Sequence, residues 1–479
     1  MVETSEAGEV FTLKRALIEA FKTKSGMLSA IILAFFIIVS IFAGNIVSYD
    51  KALNWNNPKA WEELPRLAMP EWACMIYSKN FPRTIIIDSR NTEDYRVIKV
   101  RTPVPGRNSS SVLIEEVFEY EYDDFPSEVS VFFDVKFGDI QPKIEVYWVK
   151  PDGSEILLFK GLAKLHNFTL YITKDPKLVE KLYEYVEEVY GHREEYIAPS
   201  VVLFAQTGEG MHTPETAKVL KTDVEKYKLR VKADLYGKDD DINVKLIVYG
   251  KVHGFAGTDD RRRDIFVAMV WGIPIALSFG VVASVSISLI QALFGAMAAW
   301  YGGVVDNVIS RLTEIYMIIP FLPILIVISF IYRLTIWMLL LVVVALSLFG
   351  GTVLTIRSLV MQIKTESYIE AAISYGASSW RIVLIYIMPR VISVIFPGIV
   401  MSVPAYVFLE AALALLNLGD PTFPTLGKVI SDSLNGGAVY HGYWWWVLLP
   451  SSVIIFIAVA FALLGYTLDK IVNPKLREQ

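Results

Sequence analysis

The sequence predicts an α-helical polytopic membrane protein with six transmembrane helices and a large β-rich extracellular domain inserted between the first and second spans. Three observations carry this. Long apolar runs recur along a chain of 479 residues that is 54% hydrophobic. Between the first two runs lies a long polar stretch with alternating apolar residues, the period of half-buried strands. Basic residues gather at both termini and in the loops after spans two and four, which puts all four on one side of a bilayer. A net charge of -5 offers no footprint for nucleic acid, and the single cysteine, Cys74, excludes an intramolecular disulfide framework.

Residues 1–26 are expected to be a cytoplasmic segment, with Lys14, Arg15, Lys22 and Lys24 just before the first apolar run. Residues 27–47 are long enough to cross the bilayer and show no small-residue cleavage site, so they are kept as a span. Residues 48–264 change character. Val129, Val131, Phe133, Val135 and Phe137 alternate strictly, which predicts a strand. Ile144–Val149 and Ile156–Phe159 flank Pro151-Asp152-Gly153, a hairpin signal. Leu229–Leu235 and Ile242–Val248 flank an aspartate run and predict a second hairpin. Leu178, Leu182, Val186 and Val189 predict an amphipathic helix between these pairs, and a sandwich is the expected architecture. Glu115, Glu116, Asp123 and Asp124 are expected on a solvated face. Asn108 and Asn167 open glycosylation sequons, while His166, His192, His212 and His253 lack metal-ligand spacing.

Residues 265–471 are expected to form a five-helix core, followed by a cytoplasmic tail at 472–479. Span two occupies Ile265–Trp300, span three Met317–Ile331, span four Ile336–Leu354, span five Val391–Leu416 and span six Val447–Leu468. Pro274, Pro320, Pro404 and Pro450 are candidate kinks. The outer loop from Gly419 to Tyr440 has room for a short helix, and Tyr443-Trp444-Trp445-Trp446 is placed as an interfacial aromatic belt. Glu410 is the ionisable residue set deepest in a span; its carboxylate must avoid lipid and face the bundle, a pathway or a partner helix.

The polar island at 365–390 organises the core. Ser367 and Glu370 have capping-box spacing, and Ile369, Ala372, Ile373 and Gly376 follow the helical period. Gly376 suits a left-handed cap. Trp380, Val383, Leu384 and Ile387 then predict a second short helix ending at Pro389. The runs Tyr368-Ile369-Glu370-Ala371-Ala372, Gly376-Ala377-Ser378, Trp380-Arg381-Ile382 and Ile387-Met388-Pro389 resemble the cytoplasmic "EAA" loop of ABC importer permeases, specifically the C-type subunit of the dipeptide/oligopeptide family. Gly257-Thr258-Asp259 and Arg263-Asp264 resemble the segment before that family's second span.

The resemblance implies a type I ABC importer fold. It makes Ser367, Glu370, Ala371, Ala372, Gly376, Ala377, Ser378, Arg381 and Pro389 the coupling site for an ATPase subunit, and places Glu410 on the translocation pathway. It also implies a homologous second permease, two ATP-binding subunits, an extracellular solute-binding protein and a plasma-membrane setting. Glu410 is followed by Leu413-Ala414-Leu415-Leu416-Asn417, where the family carries Leu-Ser-Phe-Leu-Gly. No phosphate-binding Gly-x-x-x-x-Gly-Lys-Ser/Thr loop occurs, so the chain should bind no cofactor itself, with ATP and Mg at partner subunits. Di- or oligopeptides are the implied solute. Oligosaccharide or nickel import within the same family stays open, and so does a membrane-anchored extracellular receptor.

Overall fold

The computed structural model describes residues 13–91, 93–105, 109–332 and 334–472. The Asn108 sequon, the end of the tail from residue 473, residues 1–12 and the side chains of Lys14 and Arg15 lie outside what is described. Chain contacts separate a unit at Asn57–Phe266 from a second one built of the segments before and after it.

Among the described residues of the inserted unit, the strands are β1 (Ile85–Asp88), β2 (Val97–Pro103), β3 (Ser110–Phe118), β4 (Glu128–Lys136), β5 (Lys143–Val149), β6 (Glu155–Leu162), β7 (Asn167–Tyr171), β8 (Tyr227–Leu235) and β9 (Asp241–Tyr249). They form one sheet of order β1-β9-β4-β7 and another of order β2-β3-β8-β5-β6, all antiparallel. The strict alternation in β4 does what its period demands: Val129, Val131, Phe133 and Val135 are buried. Phe118, Trp148, Phe204 and Tyr227 interlock nearby, with Phe118 and Tyr227 stacked at 5.5 Å and the Trp148 indole donating to the Leu203 carbonyl at 3.0 Å. Each such side chain contributes roughly 2 kcal/mol through removal of apolar surface from water. The helix Pro176–Tyr190 buries Leu178, Leu182 and Val186, while Val189 faces out.

The β5–β6 hairpin forms as expected, but the β8–β9 hairpin does not. The Asp240 carboxylate accepts from the Gly237 amide at 2.7 Å, and the chain turns a corner so that β9 enters the other sheet. A hairpin and a sheet-to-sheet corner share the same alternation and turn residues. Only the strands waiting on either side distinguish them. The solvated acidic face also needs correction. Glu115 pairs with Arg230 at 2.6 Å and Asp123 with Lys221 at 2.5 Å, but Glu116 points inward between Ile114 and Phe118 and is fully buried. Successive residues of a strand face opposite ways, so two adjacent glutamates cannot both be solvated when one face is core.

The second unit is helical. Besides Leu13–Lys22 and shorter pieces, its helices include α1 (Lys24–Ile41), α2 (Ile265–Tyr301), α3 (Gly303–Ile318), α4 (Phe321–Tyr332), α5 (Ile336–Leu346), α6 (Thr352–Ile363), α7 (Ser367–Ser374), α8 (Ser379–Leu415), α9 (Leu426–Asn435) and α10 (Trp444–Val472). Four of them, α1, α2, α8 and α10, are each long and apolar enough to cross a membrane. The expected third span is not one straight helix: α3 and α4 bend by 79° across Ile319-Pro320. Pro320 lacks the donor a continuing helix needs. The expected fourth span is likewise split into α5 and α6. The Gln291 side chain of α2 donates to the Ser347 carbonyl at 2.6 Å in that break, satisfying a group the helix leaves open.

Polar ties hold the broken pieces. The Arg357 guanidinium of α6 grips the Asp306 carboxylate of α3, with Nε donating at 2.5 Å. Asp420, in the loop before α9, accepts the Ile336 amide at 3.1 Å and caps α5. The outer-loop helix exists as α9. The aromatic belt is only partly a belt, since Trp445 and Trp446 are buried against the bundle and the Trp446 ring packs at Gly436.

Candidate coupling site

α6, α7 and the start of α8 meet the C-terminal end of α2 in one buried cluster. Ala292, Ala296 and Ala299 form a small-residue seat on α2. Ile369 of α7 and Ile382, Val383 and Ile387 of α8 pack into the same core. The seat works because alanine lets helix backbones approach closely. Its spacing of four and three residues is visible in the sequence, although it was not singled out there. Lys364 closes the seat by donating to the Trp300 carbonyl at 3.0 Å, a cation at the C-terminal end of α2.

The turn between α7 and α8 is a Schellman motif. Gly376 donates to the Ile373 carbonyl at 2.9 Å and Ala377 to the Ala372 carbonyl at 3.0 Å, with Gly376 at φ +77°. Ser378 then caps α8, its hydroxyl accepting from the Arg381 amide at 3.4 Å. The capping box itself is absent. Glu366 occupies the N-cap position without a side-chain cap bond, and Ser367 is the first residue of α7. Glu370 projects from the first turn, where a carboxylate complements the helix dipole.

The second short helix is not a separate element. It runs on as α8 through a π-helical stretch at Ile382–Ile387, with Pro389 beyond it. The Met388 amide reaches back five residues to Val383. A widened turn makes room for a proline ring that would crowd the carbonyl of Ile385 in a regular helix.

The apolar positions expected to face inward divide. Ile369, Ala372, Val383 and Ile387 are buried, whereas Ile373, Trp380 and Leu384 are half exposed and Tyr375 is 92% exposed. A rigid buried edge therefore presents an outer rim of large apolar side chains beside exposed Glu370, Ala371 and Arg381. Apolar surface of this kind on a firm base is what a partner groove requires.

Glu410 lies elsewhere. It sits 21 positions beyond Pro389 on α8, about 30 Å along the helix at the usual rise. It is 1% exposed beside Thr425 at the start of α9, and one of its oxygens has no hydrogen-bond partner. Gly427 makes this closeness possible, because a Cβ there would lie 2.6 Å from the Ala411 Cα. Among the described residues no cluster of histidine, cysteine and carboxylate side chains could hold a metal.

Residues 291–478 match the family described as "Binding-protein-dependent transport system inner membrane component". The dipeptide transport system permease protein DppC of Bacillus subtilis is 31% identical over 224 residues, covering 46% of this chain and 68% of that protein. The oligopeptide permease OppC of the same organism is 30% identical over 231 residues, covering 48% of this chain and 73% of its own length. The glutathione permease GsiD of Pectobacterium atrosepticum is 29% identical over 224 residues, 46% of this chain and 72% of that protein. This chain belongs to the dipeptide/oligopeptide ABC importer permease family.

The permease is thus a multi-pass membrane transport subunit and not an enzyme. Its helical region carries the family match, and the match contains the whole of α6 to α10 with residues 365–390. The β-rich unit at Asn57–Phe266 lies outside the matched residues.

Proposed function

We propose that the permease forms half of the translocation pathway for di- or oligopeptides in an ATP-driven importer. It works with a homologous permease, two ATP-binding subunits that hold ATP and Mg, and an extracellular solute-binding protein. The observation that carries this reading is the coupling segment: a Schellman turn seated on α2 that offers Glu370, Ile373, Tyr375 and Trp380 outward. The relatives named for dipeptides, oligopeptides and glutathione favour a peptide solute. Six crossings arise if the α3–α4 pair is the third span and α5 with α6 the fourth, around the four long helices. Both termini and residues 365–390 then lie in the cytoplasm, with residues 48–264 outside. Glu410 is assigned to the pathway because an incompletely bonded buried carboxylate suits a helix interface that opens and closes.

Reconstitution with the partner subunits tests this. Peptide-driven ATP hydrolysis and peptide uptake are expected, with uptake reduced about tenfold or more by Glu410→Gln, which replaces the buried carboxyl by an amide. Uptake of sugars or nickel but not peptides would redirect the solute assignment, and wild-type transport by Glu410→Gln would remove that residue from the pathway. Topology has its own test. After removal of Cys74, cysteines at Ser154 and Ser378 should differ on intact cells, with a membrane-impermeant thiol reagent labelling only position 154. Labelling at 378 would overturn the six-span arrangement.

A further inference from the structure

The outward face of the β1-β9-β4-β7 sheet forms the floor of a cleft of about 590 Å³, walled by the Lys59–Glu63 segment. That volume falls within the roughly 300–1,000 Å³ of small-ligand sites. Strand register lays the floor out as a grid. Asp88, Lys245, Phe132 and Thr169 form one row across all four strands, and Asn243, Asp134 and Asn167 form the next. At the usual spacing between strands, a row is about 14 Å long. An extended chain of three or four residues spans about the same distance.

The lining chemistry is mixed in sign. Lys59, Arg90 and Lys245 supply three cations against four carboxylates, with amides and a half-buried aromatic ring between them. The charges are held in loose pairs: Arg90 to Asp134 at 3.0 Å, and Lys245 to Glu63 of the wall. Both pairs keep one or both members well exposed, and ion pairs of that kind are worth little, so they exchange readily for ligand charges. The wall is firmer than the pairs, because the Tyr249 hydroxyl donates to the Glu62 carbonyl at 2.7 Å.

We propose that this cleft is a binding site for short peptides with free termini. The α-carboxylate takes Lys245 or Arg90, and the α-ammonium takes Glu63 or Asp134. Thr169 meets the peptide backbone, as does the side-chain N–H of Asn243, whose Oδ1 already accepts from Lys99 at 3.0 Å. Phe132 supplies apolar contact for a side chain. A neutral sugar has no use for two signs of charge, and a phosphate would meet a majority of carboxylates. The inference rests on the importer reading for its biological sense, a tethered domain on the side from which peptide arrives, but its chemistry is the cleft's own.

The test uses the full-length chain in lipid nanodiscs, without binding protein or ATPase. Calorimetric titration with the tripeptide Ala-Phe-Ala is compared with its acetylated, amidated form. Saturable binding of the free peptide is expected, weakened about tenfold or more by blocking the termini or by Arg90→Gln with Lys245→Gln. Thr169→Trp, which fills the floor from an outward position, should abolish it. Thermal melts of each variant establish that the sheet is retained. No saturable binding to the wild type, or undiminished binding to a folded Thr169→Trp variant, would overturn the proposal. Peptide uptake without binding in this cleft would sink the cleft and leave the importer reading standing, while binding without coupled uptake would do the reverse.

Discussion

Gly376→Leu is expected to leave the helices inserted and assembled while lowering peptide-stimulated ATP hydrolysis about tenfold or more. Gly376 holds φ +77° in the Schellman turn, and a Cβ placed there meets nothing within 4 Å. The cost is therefore purely one of backbone conformation, about 1–2 kcal/mol for a side chain in the left-handed region. A cost of that size is a factor of about ten in population. It falls on the two amide bonds from Gly376 and Ala377 that set the angle between α7 and α8. Glu370→Lys acts differently. It puts a cation at the wrong end of α7, worth about 0.3–1 kcal/mol, and reverses a charge on the rim proposed to meet the partner. Because Glu370 is exposed, the bundle has no reason to unfold. Measured in assembled complexes, both variants should lose stimulation, whereas Glu370→Gln should lose less. Wild-type stimulation in both would show that this segment does not couple.

Glu116→Leu should stabilise the inserted β unit, and by an amount that grows with pH. Glu116 is buried in the sandwich with neither oxygen given a partner of good geometry. Burial raises its pKa well above the usual value of 4.5, the nearby Asp88 charge adds to this, and the Leu246 amide and Arg96 offset only part. The folded protein thus keeps a proton that the unfolded chain releases. Its contribution is fully present below pH 4.5 and is lost as pH rises through the folded pKa. Leucine removes the titration and fills similar volume with apolar atoms. Near neutral pH the gain should be about 1–3 kcal/mol, the penalty of a buried unsatisfied polar group. Denaturant titrations of the full chain, following the β unit's transition from pH 4 to 8, would measure the gap between variant and wild type. A gap independent of pH, or a destabilised variant, would refute the account.

Much of the molecule was legible from local rules. β4 alternates as its sequence does from Val131 to Val135, although Glu128 and Ser130 are buried as well, Gly376 takes the left-handed cap, and α10 contains the whole of the sixth apolar run. Ile369 and Ala372 point inward as their spacing requires. Other expectations failed where two structures share one pattern. Ile373, Trp380 and Leu384 satisfy the helical period, yet the seat on α2 is too narrow to cover them. Ser367 and Glu370 satisfy the capping-box spacing, yet the chain leaves α6 one residue earlier and Glu366 takes the cap position.

What the sequence determined by itself was therefore the chemistry carried by short-range order: apolar length, strand period, turn residues, and the motif that marks the family. Tertiary structure decided everything that depends on a distant neighbour. It sent β9 to the opposite sheet from β8, bent the apolar stretch at Pro320, and buried Glu116 beside Glu115, which pairs with Arg230. It also lined up Asp88, Lys245, Phe132 and Thr169, far apart in the chain, as one row of a cleft. The physical reason is the same in each case. Local sequence specifies which groups a segment can offer, but burial and pairing energies exist only once a second segment arrives to accept them.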